Sequence, residues 1–201
     1  MGDGGLLHPR HVEPELSPVA IDAVYCREGG CWMFLAGHMV TSGIAAAGVY
    51  FVSGRPDLGV AVFFAGVLLD LDHIPDYFIE RGFRLAPGDF FKTCAAAGFK
   101  RLFIFLHSWE LIPLLLIAGF LLGTLPLFAA LAFGVLVHVL ADQAANPVKP
   151  GAYSFINRAR HGFHIEAFLD RRSPIFRERL ERAGTGVSPS PPQPSNGTSQ
   201  E

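Results

Sequence analysis

The chain has 201 residues, half of them hydrophobic and 17% charged, with a net charge of −2. A water-soluble domain usually carries about a quarter charged residues, and the weakly negative balance argues against a nucleic-acid-binding surface. Three cysteines, Cys26, Cys31 and Cys94, lack CxxC spacing and are odd in number, which argues against a disulfide framework or a zinc ribbon.

Residues 1–30 are polar and proline-containing, and read as a flexible arm with no signal-peptide core. From Met33 to Ser53 there is no Asp, Glu, Lys or Arg, so a first membrane span is predicted over 32–53. A turn follows at "SGRPD", 53–57. The second span starts near Leu58 and stays apolar only to Leu69. Those 12 residues are too few to cross alone, so the helix must borrow length from "DLDH", 70–73, or sit beside a thinned or wet region. A polar loop covers 80–101. Between Leu102 and Leu140 the only charged residue is Glu110, and two further spans are predicted, broken near "GTLP", 123–126. The stretch 154–172 mixes Phe and Ile with Arg and His, as an interfacial helix does, and 184–201 is low-complexity and expected to be disordered.

Lys and Arg gather in the 80–101 loop (Arg81, Arg84, Lys92, Lys100, Arg101) and in the C-terminal segment, whereas the 53–57 turn has only Arg55. Four spans with both termini in the cytoplasm follow from that bias. The expected fold is an all-α integral membrane four-helix bundle, multi-pass in the inner (plasma) membrane. It divides into an arm (1–30), a transmembrane metal-site domain (31–150), an interfacial amphipathic segment (151–183) and a tail (184–201).

On that topology the ionisable residues converge. His38 in span one, Asp70, Asp72, His73 and Asp76 closing span two, His107 and Glu110 opening span three, and His138 and Asp142 closing span four all fall on the cytoplasmic side. Taken singly, each has an ordinary structural explanation. His38 alone could be a hydrogen-bonded core residue, HSWE (107–110) an interfacial anchor, and the Asp70–Asp76 run a solvated helix end. Spacing favours a shared site: Asp70/His73 and His107/Glu110 are i, i+3, and Asp72/Asp76 and His138/Asp142 are i, i+4, positions that share a helix face. Intramembrane ionisable groups usually face a bundle interior and mark function.

Imidazole plus carboxylate is a ligand set for Zn²⁺, Mn²⁺ or iron. The expected metal ligands are His38, Asp70, Asp72, His73, His107, His138 and Asp142, holding one or two divalent ions, Zn or Mn foremost. Two ions can clamp a phosphoryl group and activate a water. Glu110 is the expected general base, its pKa raised by burial, and Asp76 a ligand or the group that orients a His ring. Arg158, Arg160, Arg171 and Arg172 are expected to hold anionic head groups. His161 and His164 read as surface residues and Cys94 as inert.

The order "DLDH" (70–73), "HS" (107–108) and "HVLAD" (138–142) resembles the bacterial inner-membrane metal-dependent hydrolase family, some of whose members are described as regulated by the LexA DNA-damage repressor. The resemblance covers about residues 35–147. It implies a multi-span helical protein with metal-dependent hydrolase activity, with Asp70, Asp72, His73, His107, His138 and Asp142 at matching positions and His38 resembling the family's early His. Leu69 stands where the family commonly has Pro, and "LHS" where it has "THS". The expected function is metal-dependent phosphoester hydrolysis of a lipid or lipid-linked substrate at the cytoplasmic interface. A di-iron oxidoreductase and a non-catalytic metal-binding scaffold are the alternatives.

Overall fold

A computed structural model describes residues 35–84, 86–95, 97–173, 176, 177 and 180. The expected arm (1–30), the tail (184–201), the first residues of span one, Cys26 and Cys31 lie outside the described residues.

The described chain is helical, with no strand among the described residues. Helix α1, Leu35–Ser53, ends where Gly54 takes a positive φ of 67°, a conformation glycine reaches without a Cβ penalty. Pro56 then opens α2, Pro56–Val67, from a first-turn position where its missing N–H costs nothing. After Val67 the helix tightens to a 3₁₀ turn over Leu68–Asp72 and resumes as α3, His73–Arg81. Pro75 accounts for the tightening: it has no N–H for the Leu71 carbonyl, and its ring crowds that oxygen. The apolar dozen thus borrows length from DLDH, giving a continuous 26-residue helical segment, Pro56–Arg81. Helix α4 spans Pro87–Ala95, α5 Leu111–Leu121, α6 Leu125–Ala145 and α7 Phe155–Arg160.

Three segments, Leu35–Ser53, Pro56–Arg81 and Leu125–Ala145, are long and apolar enough to cross a membrane. The predicted third span departs from this. Its helix has 11 residues, about 16 Å of rise, because residues 102–110 are not helical. Pro113 sits in the first turn of α5. Its ring crowds the carbonyl four residues back, which disfavours an α-helix running on unbroken towards Leu102.

Helices α1, α2 and α6 pack on one another, and α5 packs on α6. Small residues set how close they come. A Cβ on Gly134 would lie 2.5 Å from the Val62 carbonyl, one on Gly59 3.0 Å from that of Ala46, and one on Gly66 would collide with the Ser42 side chain. Close backbone approach over small residues is how apolar helices associate where lipid is as hydrophobic as they are. The outward faces are apolar: Ile44, Phe51 and Val52 on α1 and Ile117, Phe120 and Leu121 on α5 are all exposed. That pattern suits a lipid environment and is costly in water. Gly66→Ala is therefore expected to wedge α1 from α2 and to destabilise by about 1–3 kcal/mol. A lowered thermal midpoint in detergent measures it.

The 154–172 stretch is not one amphipathic helix. Gly162 and Phe163, at φ of 63° and 60°, break it after Arg160, and a 3₁₀ turn over Ile165–Ala167 follows. Ile165, Phe168 and Leu169 turn inward and are buried. Isolated bridges between Arg101 and His164 and between Val148 and Leu169 tie this segment to the rest.

Candidate metal centre

The packing of α1, α2 and α6 brings His38, the DLDH turn, His138 and Asp142 together, and the non-helical segment before α5 adds His107. His38, His107 and His138 are fully buried, and Asp142 nearly so. His38 Nε2 lies 3.1 Å from Asp142 Oδ1. His138 Nε2 lies 3.5 Å from Asp142 Oδ2 and 3.5 Å from Asp70 Oδ1. His107 Nε2 lies 3.7 Å from Asp70 Oδ1, and its Nδ1 3.5 Å from Asp72 Oδ2. The Nε2 atoms of His107 and His138 face each other at 3.0 Å. The His38 and His138 rings stack, centroids 3.7 Å apart. Two overlapping groups have ligand atoms within 4.8 Å of one another: His38, His138 and Asp142, and Asp70, His107 and His138.

The decisive contact is His138 Nδ1 to the Gly66 carbonyl, 2.6 Å. A carbonyl only accepts, so Nδ1 carries a proton, and in the neutral ring Nε2 then keeps the lone pair. That lone pair points among two carboxylates and a second imidazole. Lone pairs and anions crowd together only around positive charge. His138 Nε2 has the His107 ring as its hydrogen-bond partner, but other ring nitrogens are buried without one: both of His38, Nδ1 of His73 and Nδ1 of His107. His38 Nε2 is near Asp142 but misaligned for a hydrogen bond, so proximity there does not amount to satisfaction. Two ligands at about 2.1 Å from one ion stand about 3.0 to 3.4 Å apart in octahedral or tetrahedral geometry. The separations found, 3.0 to 3.8 Å, are close to that range. The residues thus fit a divalent cation, and the buried His/Asp groups could hold one.

Not every predicted residue joins the cluster. Asp72 reaches it through His107 Nδ1 and also accepts the backbone N–H groups of Leu106, at 2.5 Å, and His107, at 3.4 Å. His73 stands at the rim, its ring centroid 4.9 Å from that of His107, and belongs to neither three-residue group. Asp76 is turned away. Its carboxylate accepts from the amides of Phe103 at 3.0 Å and Ile104 at 3.1 Å, so it orients backbone and not a His ring.

Glu110 is also elsewhere, because it closes the start of α7. It accepts from the Ser154 hydroxyl at 2.5 Å and from the amides of Phe155 and Ile156 at 3.0 and 3.2 Å. Partial burial pushes its pKa up, but the Ser154 hydroxyl and the Phe155 amide more than offset this and hold the carboxyl below its ordinary value. The expected raised pKa is thus reversed, and a carboxylate so engaged is no general base. A lowered folded-state pKa gives stability that is present above the ordinary carboxylate range and lost as pH falls through the folded value. Glu110→Gln is expected to lower the thermal midpoint modestly at neutral pH, by a cap's worth of about 1 kcal/mol, and to leave metal content unchanged, as elemental analysis of the purified variant checks.

Sequence reasoning missed Arg158. It is 1% exposed, which rules out the head-group role expected for it. Its guanidinium donates to the carbonyls of His107 (3.0 Å), Ala152 (2.9 Å) and Ile104 (2.8 Å) and to the Ser108 hydroxyl (2.8 Å). Burial lowers its pKa to about 10, opposed by the charge of Glu110, so it stays cationic. Asp76, Asp72 and Arg158 together replace the helical hydrogen bonds that residues 103–108 forgo, and they present His107 to the cluster. Arg160, Arg171 and Arg172 are exposed, as are His161 and His164. Burial pushes the Cys94 thiol up to about 12, which suits an unreactive cysteine.

Three apolar helices of membrane-spanning length around buried imidazoles and aspartates define a helical, membrane-associated protein with a candidate metal centre. No protein-family model, curated protein or solved structure matches the chain.

Proposed function

We propose that this protein is a metal-dependent hydrolase of the inner membrane, acting on a phosphoester of a lipid or lipid-linked substrate at the cytoplasmic face. The observation that carries the reading is the placement of His138, whose Nδ1 donates to the Gly66 carbonyl and whose Nε2 is aimed at Asp70, Asp142 and His107. Zn²⁺ or Mn²⁺, one ion or two, suits such a donor set. The sequence resemblance to the bacterial inner-membrane metal-dependent hydrolases points the same way.

A four-pass arrangement with both termini inside is consistent with helix lengths. Measured from the cluster, α1 runs on to Ser53, α2 back to Pro56 and α6 back to Leu125, each about 20 Å of helix at 1.5 Å per residue. Helix α5 starts at the cluster, so its shorter length covers most of the same depth. The cluster then sits within the inner leaflet and the apolar helices fill the outer one.

His38, His138 and Asp142 would hold an ion at one position, and Asp70, His107 and His138 at an overlapping one, because the single His138 Nε2 lone pair serves one ion at a time. A bound divalent cation supplies Lewis acidity towards a phosphoryl oxygen and an activated water. Asp72 orients His107, while Gly66 fixes the His138 tautomer so that its lone pair faces inward. His73, at the rim with Nδ1 unpaired, is the side chain placed to move a proton. All the cluster's carboxylates are aspartates once Glu110 is assigned to α7, which weakens the di-iron reading, where glutamate dominates.

The test is elemental analysis of the detergent-purified protein together with phosphate release from phosphoester substrates in Mn²⁺ or Zn²⁺. About one or two equivalents of metal and turnover lost in Asp72→Ala and His138→Ala are expected. Iron with an oxidised di-iron absorption band would shift the reading to an oxidoreductase. Metal bound without turnover on any ester would leave a scaffold. Turnover surviving both substitutions would overturn the mechanism.

A further inference from the structure

Beside the cluster lies a cavity of about 280 Å³. Its wall is apolar except at one end, where Asp70, His73 and Asp142 of the cluster face it. Three other polar side chains on the wall are spoken for. Asn146 donates to the Tyr153 hydroxyl at 2.8 Å, and Arg158 is occupied with backbone carbonyls and Ser108. The floor is buried: Tyr153, Ile165, Phe168 and Leu169 are at most 6% exposed. The rim is apolar and exposed, with Leu68 at 48%, Leu71 at 54% and Phe91 at 51%.

An aqueous head-group site would be rimmed with polar residues. Here Leu68 and Leu71 belong to the 3₁₀ turn that ends the apolar part of the Pro56–Arg81 helix and Phe91 to α4, so the opening is made of hydrocarbon and continues the apolar surface of a membrane-length helix. We propose that this cavity binds a single hydrocarbon chain of an amphiphilic phosphoester, which enters sideways from the bilayer and delivers its head group to Asp70, His73 and Asp142. The identity of the head rests on the hydrolase reading; the chain site rests on the cavity alone. Its volume of about 280 Å³ suits one hydrocarbon chain. The chain is of one hydrocarbon kind, acyl-like or prenyl-like, and the wall does not distinguish them.

The experiment measures equilibrium binding of monoalkyl phosphates, hexyl to tetradecyl, to the full chain in nanodiscs of fixed lipid composition. Affinity referred to free aqueous probe is expected to rise about fourfold per methylene, the ordinary transfer preference of a buried CH₂, and its excess over empty nanodiscs to level off once the chain fills the cavity. Empty nanodiscs, which only partition the probe, give a slope without a plateau. Cys94 lines the cavity, so Cys94→Trp is expected to move the plateau to shorter chains with metal content unchanged. Should that variant fail to fold, Cys94→Leu, which fills less of the cavity, replaces it, and a smaller shift of the plateau in the same direction is expected. Decyl against geranyl phosphate tells a straight from a branched chain, and preferred binding of either supports the site. Affinity independent of chain length overturns the proposal. Chain binding with no phosphate released keeps the cavity and refutes the hydrolase. Phosphate released equally fast from every chain length does the reverse.

Discussion

His138→Ala is expected to abolish stoichiometric metal binding, whereas His38→Ala leaves part of it in place. The asymmetry comes from sharing. His138 belongs to both three-residue groups, with His38 and Asp142 on one side and Asp70 and His107 on the other. Its loss leaves each group two ligands, while loss of His38 strips only the first. Removal of an outer-shell partner typically costs a metal site 10–100-fold in affinity, so loss of a shared ligand is expected to cost at least about 100-fold. Metal per protein, measured on variants purified side by side, separates the two outcomes. A chelator should also lower the thermal midpoint of the native protein, because a ligand bound only to the folded state stabilises it and its removal leaves Asp70, Asp72 and Asp142 uncompensated. If instead protons on the imidazoles balance these carboxylates, no metal will copurify, the chelator will leave the midpoint unmoved, and the metal reading fails.

The parts of this centre visible in the sequence are those held by short-range helical spacing. His138 and Asp142 lie four apart on α6, and the structure puts both at the cluster. DLDH closes an apolar helix, and its charged residues cannot face lipid cheaply, so convergence with His38 could be argued before any coordinates. Periodicity misled where the backbone was not helical. His107 and Glu110 read as neighbours on one helix face, yet Asp76 and Asp72 take the amides of residues 103, 104, 106 and 107, and the two side chains part company. Pro113 was the available warning, since a proline breaks or distorts the helical turn upstream of it. Nothing local marks Asp76 as a backbone acceptor 27 and 28 residues away, nor Arg158 as buried among carbonyls. Both depend on long-range closure, and in composition Arg158 matches Arg160, which is exposed.

Arg158→Met is expected to be the most destabilising single substitution in the C-terminal segment. Methionine fills much of the volume but donates nothing, so the carbonyls of Ile104, His107 and Ala152 lose a buried donor at once. A buried group left unsatisfied costs about 1–3 kcal/mol; three of them, partly relaxed, cost about 3 kcal/mol or more, a large share of the stability of a small domain. Arg158→Lys keeps the charge but offers one compact ammonium where a planar fork reaches oxygens on two sides, so partial rescue is expected. Stability alone would mark Arg158 as structural. Its second effect is specific, because two of its partners, Ile104 and His107, bracket the segment that carries the His107 ring. Metal affinity is therefore expected to fall in Arg158→Lys even at temperatures where the variant is fully folded, and to return at raised metal concentration. Retention of anionic lipid by the purified protein should be unchanged, since the buried guanidinium touches no lipid, whereas charge reversal at the exposed Arg171 and Arg172 should weaken it. A lysine variant that is folded and binds metal as tightly as the native protein would separate Arg158 from the centre and leave His107 held by Asp72 and Asp76 alone.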